Sequence, residues 1–421
     1  MITRPLSALV LLAGAACHGL AQDAEPVNQE QIPVAADPGA PADPADLIPT
    51  VTVDPDKPNT VNIARSHTGH ILFPALVNGR DLGWLMLDTG SSDNVIDVRA
   101  AKELGLEPAG SLVTRDFQGL EQTSPVLDDL TITIGNTTIR QPRVVGVDML
   151  PIATMIGQPV IGVVGASTLS QIVIELDYLT PMATIHPVAD FDGEGLEWHT
   201  VEFDNNSPVI EATYEGNPGT FVLDTGLGFA VEFSRDAVIE HNLLEGRPDL
   251  REWSNIGIGG RAEAHLGFVE SLGLSGDRFG RLPALFQDPE GFQGPFPNQT
   301  GALGSLVFRN YKTTFDLGNA RVAFSPAERA APAGDLTLAD IVGTYRDRAT
   351  GGTMVLDWDG QTVTAILGAG QPELEVVVLE DNSFYFPAAW ITGSFQYRDG
   401  VIMGLRMSLP DGQSRRALKI D

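Results

Sequence analysis

The sequence predicts an all-β protein: two tandem lobes of one architecture, followed by a small antiparallel β domain. Three observations predict it. The 421 residues include 45 glycines and 29 prolines, a density of turn formers that favours short strands. One set of landmarks then occurs twice. The offset is 139 from Gly162 to Gly301, from Gly165 to Gly304 and from Asp177 to Asp316, and 136 between Asp88 and Asp224, each of which opens an Asp-Thr-Gly triplet. Two units of similar length in register are the mark of an internal repeat. Third, the region after the link Ala330-Ala331-Pro332-Ala333 carries three hairpin-type turns, Asp359-Gly360, Asp399-Gly400 and Asp411-Gly412.

The elements follow in order. Ile71-Leu72-Phe73 and Ala75-Leu76-Val77 lead to Asn78-Gly79, a hairpin turn signal, and then to the apolar run Trp84-Leu85-Met86-Leu87 that ends at Asp88. The second unit repeats this with Val209 to Tyr214, a turn at Glu215-Gly216-Asn217, and a run that ends at Asp224. After each triplet a short strand (Asn94-Val95-Ile96, then Ala230-Val231-Glu232) precedes a short helix, containing Ala100 to Leu104 or Arg235 to His241. Gly162-Val163-Val164-Gly165 and Gly301-Ala302-Leu303-Gly304 close the two units. The last region reads as a small antiparallel barrel or sandwich, with β runs at Met354 to Trp358, Leu374 to Leu379 and Val401 to Met407. The expected segments are 1–21, an export signal; 22–58, a disordered acidic Pro/Ala-rich spacer; 59–190 and 191–329, the two lobes; and 335–421, the β domain.

Arg4 precedes the apolar run Leu6 to Ala16, and Gly19-Leu20-Ala21 offers a small-x-small cleavage site before Gln22. The only cysteine gives a second reading, because Gly14-Ala15-Ala16-Cys17 is similar to a lipobox, in which Cys17 is lipidated. The expected location is therefore exported, periplasmic or secreted, with membrane attachment only through a lipid anchor at Cys17. A single cysteine also excludes disulfides within the chain. The formal charge is -29, with lysine only at Lys57, Lys102, Lys312 and Lys419. Such an acidic surface repels phosphate backbones and argues against nucleic-acid binding. The spacer is itself acidic, so it is no cationic propeptide for an acidic site.

Peptide hydrolysis without a metal needs one carboxylate to deprotonate water and one carboxylic acid to protonate the carbonyl oxygen. Two aspartates about 3 Å apart supply both, because they cannot ionise together and so share one proton. In each triplet the threonine hydroxyl can buttress the loop, and the glycine lets the backbone turn tightly and donate its N–H. The matched pair of Asp-Thr-Gly loops, each with a later apolar-apolar-Gly segment (Val163-Val164-Gly165 and Ala302-Leu303-Gly304), resembles the pepsin and retropepsin superfamily of aspartic proteases over roughly Gly69 to Pro326. The resemblance implies a two-lobed acid protease fold with its site between the lobes. It implies Asp88 and Asp224 as the catalytic dyad, Thr89 and Thr225 as cross-bracing hydroxyls, and Gly90 and Gly226 as backbone donors. It also implies flap hairpins around Phe117-Gln118-Gly119 and Gly257-Ile258-Gly259-Gly260. Ser91 follows the first triplet but Leu227 the second, so a hydroxyl available to Asp88 has no counterpart at Asp224. No tyrosine lies between Asp88 and Tyr178, so a pepsin-type flap tyrosine is missing and the flaps are closer to the retroviral type.

The function expected is an aspartic endopeptidase acting on peptide or protein substrates as a monomer, with no cofactor and no metal. The alternative is a catalytically weak version of the same fold that binds peptides or envelope proteins. The seven histidines show no metal-binding HExxH spacing, and His67 and His70 read as loop residues. In the β domain, exposure of Tyr385, Trp390 and Phe395 would mark a binding surface, whereas their burial would mark a core.

Overall fold

The apolar runs that flank each triplet become central strands of a sheet. The computed structural model describes residues 47–421, apart from 67–68, 118, 179–180, 249, 258–259, 280–281, 292–293, 295, 297, 310, 327–336, 369–372, 379–381, 387–390, 399 and 409–413. The export signal, Cys17 and most of the spacer therefore lie outside the described residues. The chain divides into two compact units, 34–327 and a unit that holds 328–421.

In the first lobe, β1 (Ile71–Pro74), β2 (Trp84–Leu87), β3 (Val95–Asp97), β4 (Pro108–Arg115), β5 (Glu121–Ile134), β6 (Thr137–Val147) and β7 (Val160–Val164) lie in the order β1-β2-β7-β3-β6-β5-β4. Helix α1 (Val98–Leu104) follows β3, and α2 (Leu150–Ile156) follows β6. Leu85, Met86 and Leu87 are buried because β2 lies between β1 and β7, with no edge to water. The Asn78-Gly79 turn forms as its residues require, with φ of 47° and 77° closing the bridge from Val77 to Arg80.

A floor follows. β8 (Ile172–Asp177) and β9 (Met182–Pro187) belong to the first half, and β17 (Tyr311–Asp316) and β18 (Arg321–Pro326) to the second. Between them the second lobe supplies β10 (Ser207–Tyr214), β11 (Asn217–Leu223), β12 (Val231–Phe233), α3 (Arg235–Glu240), β13 (Arg251–Gly257), β14 (Gly260–Val269), β15 (Leu282–Gln287) and β16 (Gly301–Leu303). Its order, β10-β11-β16-β12-β15-β14-β13, is that of the first lobe strand for strand. The register repeats too: Val163 and Val164 pair in parallel with Met86 and Leu87, and Ala302 and Leu303 with Val222 and Leu223.

The floor fixes how the halves meet. β8 and β17 pair antiparallel, with Ile174 opposite Phe315, Glu175 opposite Thr314 and Leu176 opposite Thr313. Under the 139-residue offset each outer pair is the image of the other, so a pseudo-two-fold axis passes between Glu175 and Thr314. β9 flanks β8 as β18 flanks β17. The strands Thr60–Asn62 and Trp198–Thr200 complete a six-stranded sheet. A single apolar core runs through both lobes and this floor.

The spacer boundary at residue 58 needs correction. Thr50–Val53 already forms a strand against Thr137–Arg140 of β6. Gln171 holds this strand by its side chain, with Nε2 donating to Pro49 O at 2.9 Å. Val51 and Val53 pack on the lobe core, so apolar burial orders the end of a Pro-rich segment.

The second unit is a closed, up-and-down barrel of eight strands: β19 (Gly343–Asp347), β20 (Thr353–Trp358), β21 (Val363–Ile366), β22 (Glu373–Val378), β23 (Ser383–Phe386), β24 (Ile391–Arg398), β25 (Val401–Ser408) and β26 (Ser414–Lys419). Closure of β26 on β19 removes the sheet edges. Tyr345, Phe384, Phe386 and Phe395 fill the interior, so Phe395 is a core residue. Trp390 and the Tyr385 side chain lie outside the described residues.

Candidate active site

Asp88 and Asp224 each follow the last residue of a buried strand, and the parallel neighbour strand receives the N–H of each. Asp88 N donates to Val164 O at 3.1 Å and Asp224 N to Leu303 O at 2.9 Å. The equivalent anchors bring the two triplets face to face. Thr89 Oγ1 donates to Leu223 O at 2.6 Å and accepts from Thr225 N at 3.0 Å. Reciprocally, Thr225 Oγ1 donates to Leu87 O at 3.0 Å and accepts from Thr89 N at 3.0 Å. Both threonines are fully buried. Four hydrogen bonds thus close a ring across the interface, with every backbone group satisfied.

Each glycine is required by the opposite carboxyl. A Cβ on Gly90 would stand 2.6 Å from Asp224 Cγ, and one on Gly226 would stand 2.5 Å from Asp88 Cγ. The two carboxyls lie within hydrogen-bonding reach of one another. Asp88 Oδ1 accepts from Gly90 N at 2.9 Å and Ser91 N at 3.0 Å, whereas Asp224 Oδ1 accepts from Gly226 N at 2.8 Å. Ser91 N also donates to the main-chain oxygen of Asp88, at 3.3 Å, and Leu227 N makes only this second kind of bond, to the main-chain oxygen of Asp224 at 3.2 Å.

Electrostatics separates the pair further. Burial raises the Asp88 carboxyl above the ordinary aspartate range, against the hydrogen bond from Asp224 and the N–H groups of Ser91 and Gly90. Burial lifts Asp224 well above that range, and the charge of Asp88 and a more distant Glu232 lift it further. Two raised carboxyls in contact hold one proton between them, and the second N–H donor on Asp88 favours the charge there.

The Ser91 hydroxyl does not serve the dyad. Its Oγ donates to Asp93 O at 2.9 Å. Leu227 thus replaces a hydroxyl that has another partner.

Two residues also hold the triplets: His70, which the sequence places in a loop, and Ser207, which it leaves unassigned. His70 Nε2 lies 2.9 Å from Gly226 O, and Ser207 Oγ donates to Gly90 O at 2.8 Å. With Gly226 O as acceptor, His70 carries its proton on Nε2. His70 immediately precedes β1 and Ser207 is the first residue of β10, so they hold equivalent places in the fold and differ in chemistry. Their placement 18 and 17 residues before the triplet aspartates is the only sequence signal for them.

The first hairpin, β4–β5, turns through Asp116 to Leu120, with Gly119 at φ 85° and Asp116 Oδ1 accepting from Leu120 N at 2.9 Å. Its tip reaches the second lobe. Phe117 packs its ring 5.7 Å from that of Phe296, and its carbonyl receives Gln287 Nε2 at 3.4 Å. The same Gln287 Nε2 donates to buried Glu232 at 3.0 Å. In the second hairpin Gly257 pairs with Gly260, while Gly259 lies outside the described residues. Its first strand, β13, runs alongside α2 of the first lobe. Each hairpin therefore meets the segment that follows the sixth strand of the opposite lobe. Among the described residues, no group of three or more His, Cys, Asp or Glu could hold a metal ion.

A family model described as aspartyl protease matches residues 73–168, which span the first triplet, the first hairpin and the Val163-Val164-Gly165 segment. No curated protein matches the chain. The matched region is one lobe, and the strand order shows that 207–303 repeats its architecture.

Proposed function

We propose that this protein is a single-chain aspartic endopeptidase of the pepsin and retropepsin type, with Asp88 and Asp224 as its dyad. The observation that supports the reading most is the reciprocal threonine ring, which ties together the two loops that carry these aspartates. The proton asymmetry assigns roles. Asp88, ionised and fixed by two N–H donors, takes a proton from the attacking water. Asp224, protonated, gives its proton to the carbonyl oxygen of the scissile peptide as the C–O bond forms. Collapse of the resulting gem-diol returns a hydroxyl proton to Asp224 as the C=O re-forms and breaks the C–N bond, the amine leaves with the proton held by Asp88, and the pair is back to one shared proton.

Two hairpins, each reaching the opposite lobe, and a flap without tyrosine favour the retropepsin side of this superfamily. The N-terminal apolar run supports export, as a soluble protein or anchored through Cys17. The test is cleavage of an unfolded protein substrate from pH 3 to 7 by the wild type and by Asp88→Asn and Asp224→Asn. Severe loss in both variants is expected. An inactive wild type that still binds peptides would establish the binding-module alternative instead.

A further inference from the structure

The barrel carries a feature that the dyad chemistry does not use. In a chain of net charge -29, cations are scarce, and elsewhere many pair with acids: Arg80 with Glu103, Arg99 with Asp148, Arg247 with Glu215, Arg321 with Asp316. On the barrel, by contrast, Arg348, Arg406, Arg415 and Arg416 gather with Ala349 and Ser414 around one shallow groove of about 440 Å³. None of these lining residues is acidic. Among the described residues, none of the four arginines forms an ion pair. Among the described residues the nearest acid in sequence, Asp347, is engaged: its Oδ1 accepts from Ala349 N at 2.7 Å and Thr350 N at 2.9 Å.

The arrangement is set by strand register. Arg406 on β25 stands directly opposite Arg416 on β26, and Met407 stands opposite Arg415. Arg348 is tied to the same place, since its N–H donates to Arg416 O at 2.9 Å. Like charges directly opposite on neighbouring strands oppose folding. An acid at either position would pair with its neighbour and stabilise the sheet. Among the described residues only Arg406 has a side-chain partner, Ser414 Oγ at 2.9 Å, a neutral group that orients its guanidinium. Local consistency is broken here with no gain to the fold, a pattern typical of binding sites.

We propose that this groove is a binding site for a ligand that presents two or more clustered phosphate groups. Guanidinium forks match the oxygens of phosphate. A tetrahedral phosphate has enough oxygens to engage several forks at once, whereas a carboxylate has two. The volume falls within the roughly 300–1,000 Å³ of small-molecule sites. The ligand can be a soluble polyphosphate or a phosphate-bearing lipid headgroup, since both present the same chemistry.

The test uses the full chain and inorganic tripolyphosphate, followed by titration calorimetry at low and high salt, with orthophosphate as the monovalent comparison. Saturable binding that weakens with salt and exceeds that of orthophosphate is expected. The double variant Arg406→Gln/Arg416→Gln should weaken it about tenfold or more, while its melting temperature holds or rises as the like-charge pair is relieved. Arg80→Gln/Arg115→Gln removes the same charge elsewhere and should leave binding intact. Sedimentation with phosphatidylcholine vesicles, with and without phosphatidic acid, separates the sources: loss of vesicle binding in the same double variant assigns the site to lipid phosphate, and tripolyphosphate binding alone assigns it to a soluble ligand. No saturable binding of either probe, or binding equal in both double variants, overturns the proposal.

Discussion

The two lobes share a strand order and a register, yet they fill equivalent positions with different chemistry. In the first lobe Gly165 N donates to the side chain of buried Asn94, which also binds Gln141 and Thr168. In the second, Gly304 N donates to the main-chain oxygen of Ala230, and Val307 stands where Thr168 does. Gly162 lies over the carbonyl of Val95 and Gly301 over that of Glu232, so an apolar residue of one lobe answers to a buried acid of the other. Ser207 and His70 hold the two triplet glycines. What stays identical is the ring of threonines, glycines and aspartates. The fold thus tolerates wide variation around a conjoined centre, and that variation makes two equal aspartates unequal.

The largest effects should come from the shared centre, where the lobes act as one. Asp88→Asn and Asp224→Asn should each lower the peptidase rate by about a thousandfold or more. Stability separates them. The folded-state pKa of Asp224 is raised far above its unfolded value, so the native state binds the extra proton and stability falls as pH rises through the interval between the two values. Asp224→Asn removes that penalty. Its melting temperature should exceed the wild type's at neutral pH and converge with it in acid, where Asp224 is protonated in both states. Asp88→Asn should show the smaller gain. Equal gains would mean that the proton is not held on Asp224.

Next come the threonines, where the comparison predicts equality. Thr89→Val and Thr225→Val each remove one donor and leave a buried carbonyl and a buried N–H without partners, at about 3 kcal/mol for either variant. Urea denaturation measures this directly. A large difference between the two would show that the ring is braced mainly by one lobe.

Glu232→Gln probes the asymmetry itself. The buried carboxylate lifts the Asp224 pKa, so its removal should lower that value and move the alkaline limb of the activity profile to lower pH. The acidic limb, set by Asp88, should move little. A shift of both limbs together would point to a change in the flap instead, because Glu232 also holds Gln287 beneath Phe117.

How far the sequence reveals this centre depends on the range of each interaction. The triplets and their strands are legible because Asp, Thr and Gly perform a local task at fixed spacing, and the 139-residue offset exposes the repeat. His70 and Ser207 are not legible, since each acts on a loop of the opposite lobe and lies next to it only after the floor has formed. Glu232 is hidden for a different reason. It sits in an apolar strand pattern, where a single acid reads as the exposed face. The strand Thr50–Val53 is also missed, because its composition is that of a spacer and only its pairing with β6 orders it.

The smallest effect should come from the most visible difference in the sequence, Ser91 against Leu227. A hydroxyl after the second triplet is needed only if the hydroxyl after the first binds its aspartate, and Ser91 Oγ donates to Asp93 O instead. Leu227→Ser should therefore leave the rate per folded molecule within about twofold, and it should leave the pH profile in place. It should cost stability, because Leu227 is buried and packs on Gly304; loss of such a side chain is worth about 2–3 kcal/mol. Its backbone role is untouched, since Ser305 N and Oγ both donate to Leu227 O. A gain of activity in Leu227→Ser, measured at equal folded concentration, would show that Asp224 lacks a donor that the first lobe provides.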